Sequence, residues 1–411
     1  MTGVQHYVDS LLGALYAGDA NHEVTAFAPA LGVRVAGIGV SRAQTALAAE
    51  QFGWVQNPRA QIDVAAAGLS GSAGNVLRRL SADRAPTAAI LPAWLPRPVA
   101  RRLVEKRARA ASRRYDLLHV PAPVPLRFET YQAKRHVVTI YDLTTRLFPD
   151  LHEAGNVAAW ERLFRFAQTP RCARVLAISE ATKQDVVAHL KIPADRIDVT
   201  PLAARAQTRR VTDPAALARE RNRAGVPGDA PFVLYAGSLE PRKNLARLVG
   251  AFARIVVQEP GLPHHLVLVG GSRDNHGETL RALARETGIG DRLVLPGYAR
   301  DDTLNALMSG CAVFVYPSLY EGFGLPPLEA MACGAPVIVS DASSLPEVVG
   351  DAGVLVDARD EAELAAALHG LLVNAGENRR RRELSLARAA TFSWDKTAAL
   401  TLRSYEAAIA A

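Results

Sequence analysis

Two glutamates, Glu321 and Glu329, stand eight positions apart around a Gly-Phe-Gly turn. An apolar run, AVFVYPS from Ala312, leads into the loop Leu319 to Gly324, and a helical pattern follows from Leu325 to Cys333. Pro326 and Pro327 at its start and Gly334 after its end are the expected helix asymmetry. Gly322 and Gly324 let backbone amides approach a ligand with no Cβ in the way. Such amides, joined to a helix N-terminus, make an anion site. Taken singly, Glu329 also reads as a first-turn acid favoured by the helix dipole, and Glu321 as an ordinary loop charge. The pair, bracketing a turn directly after a strand, favours two contacts along one ligand.

A second loop reads YAGSLEPRKN from Tyr235. A strand ends at Gly237-Ser238, and Arg242 and Lys243 precede a helical segment from Leu245. Only six of the 48 basic residues are lysines, so a lysine here is less casual than in most chains. Two adjacent cations can offset a pyrophosphate, each contact at ~4 Å contributing about 4 kcal/mol before desolvation. Arginine adds a planar fork for phosphate oxygens. Solvated charges at a helix start are the alternative. Gly270-Gly271-Ser272 and Leu295-Pro296-Gly297-Tyr298 are further strand exits, with Tyr298 either beside a base or an ordinary tyrosine. Thr139 to Asp142 closes a strand with an acid that either faces a cleft or caps a helix from Thr144. Gly3, ahead of a helical pattern over 6–16, offers close backbone approach or a frayed end. No Asp-x-Asp pair suited to Mg²⁺ stands in a strand-end loop, and HExxH, GxSxG and GxxxxGK[ST] are missing.

The elements that must hold these residues alternate short apolar runs with helical patterns, the mark of parallel α/β architecture. Strands are predicted at 24–28, 116–120, 137–141 and 175–179, then at 232–236, 266–270, 293–295, 312–316, 337–340 and 354–356. The second-half runs are apolar throughout, as strands covered on both faces are. Residues 201–231 lack a strand signal and read as a connection with one helix at 214–224. A length of 411 residues suits two domains of about 200. The predicted division is 1–205 and 206–392. Ligands then sit at the C-terminal strand ends, in the cleft between.

Cys172, Cys311 and Cys333 are odd in number and widely spaced, which fits a reducing cytosol and three small buried hydrophobes. No stretch approaches the ~18 apolar residues of a membrane span, and no secretory pattern opens the chain, so a cytoplasmic location is expected. The net charge of +7 is uneven: residues 1–200 carry an excess of eight positive charges, the rest an excess of one negative. The densest stretch runs from Arg97 to Arg114, opposed only by Glu105. It suits peripheral docking on an anionic inner membrane face, at about 1 kcal/mol per basic residue, or a solvated helix face. Nucleic acid is not an expected partner, because no binding motif or interleaved aromatic pattern accompanies the charge.

These residues resemble the family-4 retaining glycosyltransferases, from Gly3 to the final helix and most densely over 232–357. The motifs are GSLEPRKN, LVLVGG, LPGY and PSLYEGFGLPPLEAMACGAPVIVSD in family order, with AISEATKQDVVAHLKIPADRIDVTP before the connection and FSWDKTAALTLRSYEAAI at the end. The resemblance implies the GT-B fold, two Rossmann-like α/β domains facing across a cleft, the first completed by a returning helix at 393–411. It implies a metal-independent enzyme with no cofactor. The donor would be a nucleotide-diphosphate sugar, GDP-mannose by similarity to bacterial polysaccharide mannosyltransferases, and the acceptor a glycan or a lipid-linked glycan. Arg242 and Lys243 would hold the diphosphate and Glu329 the ribose. Glu321 and the amides of Phe323, Gly324 and Leu325 would hold the transferred sugar, with Gly3 approaching the phosphates from the other side.

Three departures from the family pattern follow. Ser238 stands where many members carry arginine, and Tyr141 where many carry histidine, which leaves Tyr141 or Asp142 to contact the sugar. Gly3 falls where relatives have already built a strand, so the first sheet is expected to lack that strand or to fray. Other GT-B enzymes, namely epimerases and phosphorylases, and a non-catalytic sugar-nucleotide or glycan binder are the rival classes.

Overall fold

A computed structural model describes residues 7–15 except 9 and 12, the strands at 25–28 and 33–36, residues 109–113 except 111, and 115–123, 128–272 and 275–411. Gly3 and most of the Arg97–Arg114 stretch lie outside the described residues; Arg109 and Arg113, within them, are exposed.

The described part of 7–15 is helical (α1), as its pattern predicts, so residues 7, 8 and 10 supply no strand. Strands β1 (Thr25–Ala28) and β2 (Val33–Ala36) pair antiparallel with each other. A first parallel sheet then follows in chain order: β3 (Leu117–Val120), β4 (Arg135–Ile140), β5 (Cys172–Ala177) and β6 (Ile197–Val199). Short helix α2 (Thr144–Leu147) and α3 (Ala154–Ala167) separate β4 from β5, and α4 (Glu180–Leu190) follows β5. Helix α4 starts where it does because Ser179 caps it, its hydroxyl accepting from Thr182 N at 3.0 Å.

The connection carries α5 (Pro214–Arg223), opened by an Asp213 cap and a first-turn proline. A second parallel sheet follows, from β7 (Phe232–Ala236), β8 (His265–Val269), β9 (Leu293–Gly297), β10 (Val313–Tyr316), β11 (Val337–Ser340) and β12 (Val354–Val356). Its order is β12-β11-β10-β7-β8-β9, a doubly wound sheet. Helices α6 (Leu245–Gln258), α7 (His276–Glu286), α8 (Asp301–Gly310), α9 (Leu325–Ala332), α10 (Leu345–Val349), α11 (Glu361–Val373) and α12 (Ala375–Ala389) connect and cover it. Every residue of β7, β10 and β11 is buried, which is why these runs are apolar end to end.

The chain then returns. Helix α13 (Trp394–Ala410) lies on the first sheet, where Ala408 packs with Val137 and Leu176. Trp394 Nε1 donates to Ala204 O at 3.0 Å and Thr397 Oγ1 to Pro201 O at 2.5 Å, tying the helix to the connection. All three cysteines are free and buried. Among the described residues no helix is long and apolar enough to cross a membrane.

Candidate active site

The strand order reverses between β7 and β10, so the loops after these two strands open onto one crevice. The β7 loop delivers Arg242 and Lys243 on a single 3₁₀ turn, Pro241–Lys243. Asn244, in the left-handed region at φ 59°, ends that turn and donates to Pro317 O at 3.1 Å and Ala358 O at 2.7 Å. The β10 loop delivers Glu321. Its Oε1 accepts from Lys243 Nζ at 2.5 Å, Ser318 Oγ at 2.6 Å and Arg242 Nη1 at 3.2 Å. Lys243 also donates to Tyr316 OH at 2.9 Å. Arg242 donates to the Tyr320 carbonyl, and its Nη2 lies 3.6 Å from Glu240 Oε2.

These are buried charges, and burial alone would neutralise them. Burial pushes the Glu321 carboxyl up, but the Lys243 and Arg242 charges and the hydrogen bonds outweigh it, and the group ends below the usual carboxylate range. Burial lowers the Lys243 ammonium, and the Glu321 charge only partly restores it. The cluster thus holds two cations, Arg242 and Lys243, against the carboxylates of Glu321 and Glu240 at the mouth of the sheet.

The Glu321 loop is pinned through its backbone. Glu321 N donates to Ser343 Oγ at 2.7 Å, and Ser344 Oγ donates to Glu321 O at 3.0 Å and Phe323 O at 2.7 Å. Ser343 holds a left-handed φ of 50°, an uncommon setting for a residue with a Cβ. Gly324, at φ 113°, opens α9. A helix start leaves up to four N–H groups unpaired. Prolines 326 and 327 have none, and Leu328 N bonds Gly324 O at 3.2 Å, which leaves the Leu325 amide at the tip.

Gly322 has a different task from the one its position suggests. A Cβ there would collide with the Tyr141 carbonyl oxygen and lie 2.9 Å from Asp142 Cβ. Its own carbonyl accepts from Ser179 Oγ at 2.7 Å and Thr182 Oγ1 at 3.1 Å. The missing side chain thus admits the first lobe. Nearby, Tyr320 OH donates to Asp185 Oδ2 at 2.6 Å and accepts from Leu143 N at 3.3 Å, while Glu347 accepts from Glu180 N and Ala181 N at 2.9 and 3.0 Å.

Glu329 stands apart from this cluster. It lies in the second turn of α9, so the first-turn dipole account does not hold. Arg205 grips it with two bonds, Nε to Oε1 at 2.5 Å and Nη2 to Oε2 at 3.0 Å. Asp142 Oδ1 accepts from Thr144 N at 2.9 Å and Thr144 Oγ1 at 2.6 Å, but the N-cap of α2 is Leu143, with no side-chain cap bond, so Asp142 braces the turn before the helix without capping it; its charge also reaches Arg242. Tyr141 packs edge-on between Tyr7 and Trp160, its buried hydroxyl without a hydrogen-bond partner. Gly270 has no room for a Cβ, because the Gly237 carbonyl fills that place. Ser238 is exposed, its carbonyl accepting from Tyr235 OH at 2.8 Å. Tyr298 is 82% exposed beside the end of β9.

Sequence reasoning missed Arg205, Ser318, Ser343, Ser344 and Glu347. Ser318 sits three residues before Glu321 in a loop already singled out, and that spacing could have suggested it. The others act across long sequence separations and leave no local pattern.

Residues 1–204 match Glycosyltransferase Family 4, and residues 218–385 match Glycosyl transferases group 1. O-antigen chain mannosyltransferase B of Escherichia coli is 31% identical over 277 residues, 67% of this chain and 71% of that protein. The serotype-specific mannosyltransferase WbdA of the same organism is 32% identical over 59% of this chain, which spans only 29% of that protein's length. Among solved structures, Anabaena HepE in complex with UDP and glucose superposes with a TM-score of 0.61 at 18% identity, over 74% of this chain and 81% of that one. Two parallel-sheet α/β lobes, a cationic pair and a glutamate meeting at the switch point of the second, and these matches lead to one conclusion: the chain belongs to the family-4 glycosyltransferases and is an enzyme of the GT-B fold.

Proposed function

We propose that this enzyme moves a hexose, mannose, from a nucleotide-diphosphate donor to a glycan or lipid-linked acceptor with retention at C1, without a metal ion. The observation that carries it is the convergence of Arg242, Lys243 and Glu321 on the β7–β10 switch point. The relatives named for mannosyl transfer favour that sugar, and GDP is the proposed carrier.

The chemistry follows from charge. Breaking the donor C1–O bond leaves negative charge on the β-phosphate. Arg242 and Lys243, with the Leu325 amide at the α9 tip, face that charge and stabilise it. Glu321, held by Ser318 and the cations, is placed to accept hydrogen bonds from sugar hydroxyls. The acceptor hydroxyl attacks C1 on the face the phosphate leaves, and its proton passes to the departing phosphate oxygen. No nucleophile from the protein is assigned. Glu329 accepts from the ribose. The acceptor enters over the ends of β3 to β5, with Asp142 nearby.

The test combines binding with turnover. Melting temperatures are measured with GDP-, UDP- and ADP-sugars, since a ligand of the native state raises apparent stability. Labelled GDP-mannose is then supplied with and without glycan acceptors, in the presence of EDTA. Transfer that survives EDTA and disappears in Lys243→Met and Glu321→Gln supports the proposal. Turnover unchanged in both variants overturns it.

A further inference from the structure

The proposed ribose ligand, Glu329, does not stand alone. Its side chain is 6% exposed, and both carboxylate oxygens are gripped by Arg205, whose side chain is 18% exposed. The third arm of the same guanidinium, Nη1, donates to Asp301 Oδ1 at 2.8 Å. Arg205 comes from neither sheet. It follows Ala204, whose carbonyl accepts from Trp394 Nε1, in the connection that α13 straps down through Pro201 and Ala204.

Lone-pair arithmetic shows what the clamp does. A carboxylate offers about four acceptor sites, two on each oxygen. A two-bond guanidinium grip takes one on each oxygen and fixes the carboxylate plane. One site per oxygen remains, on the outer edges of the carboxylate and pointing away from each other. A ribose hydroxyl, the 2′ or the 3′, is an O–H donor that fits one of them. Asp301 fixes the guanidinium in turn, so the plane of Glu329 is set from outside α9.

We infer that Arg205 is a positioning residue for donor recognition: it orients Glu329 to accept one ribose hydroxyl, and so makes the enzyme select the ribonucleotide over the form that lacks this hydroxyl. The inference rests on Glu329 being the ribose ligand. A lysine at 205 keeps the positive charge but is a point donor, unable to hold two oxygens in one plane. The clamp also ties ribose recognition to the interdomain connection, which α13 anchors.

The test is calorimetric binding of GDP and UDP and of their 2′-deoxy and 3′-deoxy forms to the wild type, Arg205→Lys, Arg205→Gln, Asp301→Asn and Glu329→Gln. A hydrogen bond to a charged acceptor predicts a wild-type preference for the ribose form over one of its two deoxy forms of about ten-fold or more. That preference falls to about two-fold in Arg205→Lys and Glu329→Gln, and partly in Asp301→Asn, while the deoxy forms bind nearly as before. A purely structural arginine would lower the melting temperature without moving this ratio. Should Glu329→Gln lose the preference while folded Arg205→Lys keeps it in full, the inference fails and the ribose role of Glu329 stands. Equal binding of ribose and deoxy forms by the wild type removes that role, and the inference with it. Arg205→Gln leaves a buried carboxylate unpaired; if it does not fold, Arg205→Lys decides.

Discussion

The two parallel sheets treat polarity in opposite ways. In the second, β7 and β10 are buried along their length, and the ions sit in the loops beyond them. In the first, polar groups lie within the sheet itself. His119 on β3 pairs through Nδ1 with Tyr405 OH and through Nε2 with Thr139 Oγ1, each at 2.7 Å, and Thr139 Oγ1 meets Tyr7 OH at 3.1 Å. One chain of hydrogen bonds thus joins β3 and β4 to α1 and α13. On β4, His136 is fully buried against the edge of Phe166. In the second lobe the ions of the site sit beyond the strands, and burial holds down the charging of His264 and His265 only at the start of β8, whereas in the first lobe His119 and His136 lie within the sheet and are held furthest from charging.

Acid sharpens this contrast most. Burial lowers His119 to about 3, and burial with the nearby Arg171 charge lowers His136 to about 4. Both stay neutral in the native state well below the unfolded histidine pKa of 6.5, so their contribution is complete above pH 6.5 and shrinks as pH falls toward 4. Between pH 7 and pH 5 each costs about 2 kcal/mol, roughly 4 together. Glu321 also sits below its ordinary range, but its contribution is lost only under more acid conditions. Urea titrations at pH 7 and 5 check this, with His136→Leu expected to remove about half of the loss. An acid response that begins with the second lobe would break the comparison.

Lys243→Met tests the other side. Losing a cation that faces the leaving group should lower kcat by about 100- to 1000-fold, measured in single-turnover transfer. An activity within a few-fold of wild type would move the chemistry away from the second lobe.

Gly322→Val tests the seam between lobes. The added atoms meet backbone at Tyr141, which cannot rotate away. Overpacking of this kind costs about 1–3 kcal/mol, and small-angle scattering should show a more open molecule. Glu347→Ala is the mildest change. It removes the carboxylate that accepts from the first amides of α4, worth about 1 kcal/mol. Urea melts should show that loss, with transfer nearly intact.

The same contrast governs how much the chain discloses. Strands at 232–236 and 337–340 match the predicted limits, because double-sided burial demands unbroken apolar runs, and the edge strand at 354–356 matches through its apolar sequence although Leu355 is exposed. On the first sheet, β4 begins two residues early at Arg135-His136 and β5 three early at Cys172, where polar side chains interrupt the apolar signal. The strands β2 and β6 are short and each is interrupted by a charged residue, Arg34 and Asp198, so neither stands out as an apolar run. At the site, Arg242, Lys243 and Glu321 were legible because each sits in a loop directly after a strand. Arg205 and Glu347 were not, since Arg205 meets Glu329 across 124 positions and Glu347 meets α4 across 166 and 167.

The helix that covers the first sheet leaves the ribosome long after the strands it covers. Strands β3 to β6 are finished by residue 199, but α13 begins only at residue 394. At ~5–20 residues per second, Val137 and Leu176 wait roughly 12–54 s for Ala408. The second sheet is complete by residue 356 and needs no such wait. Synthesis therefore favours a folded donor half carrying a half-clothed partner, and a nascent chain stalled before residue 394 should bind chaperones through that bare face.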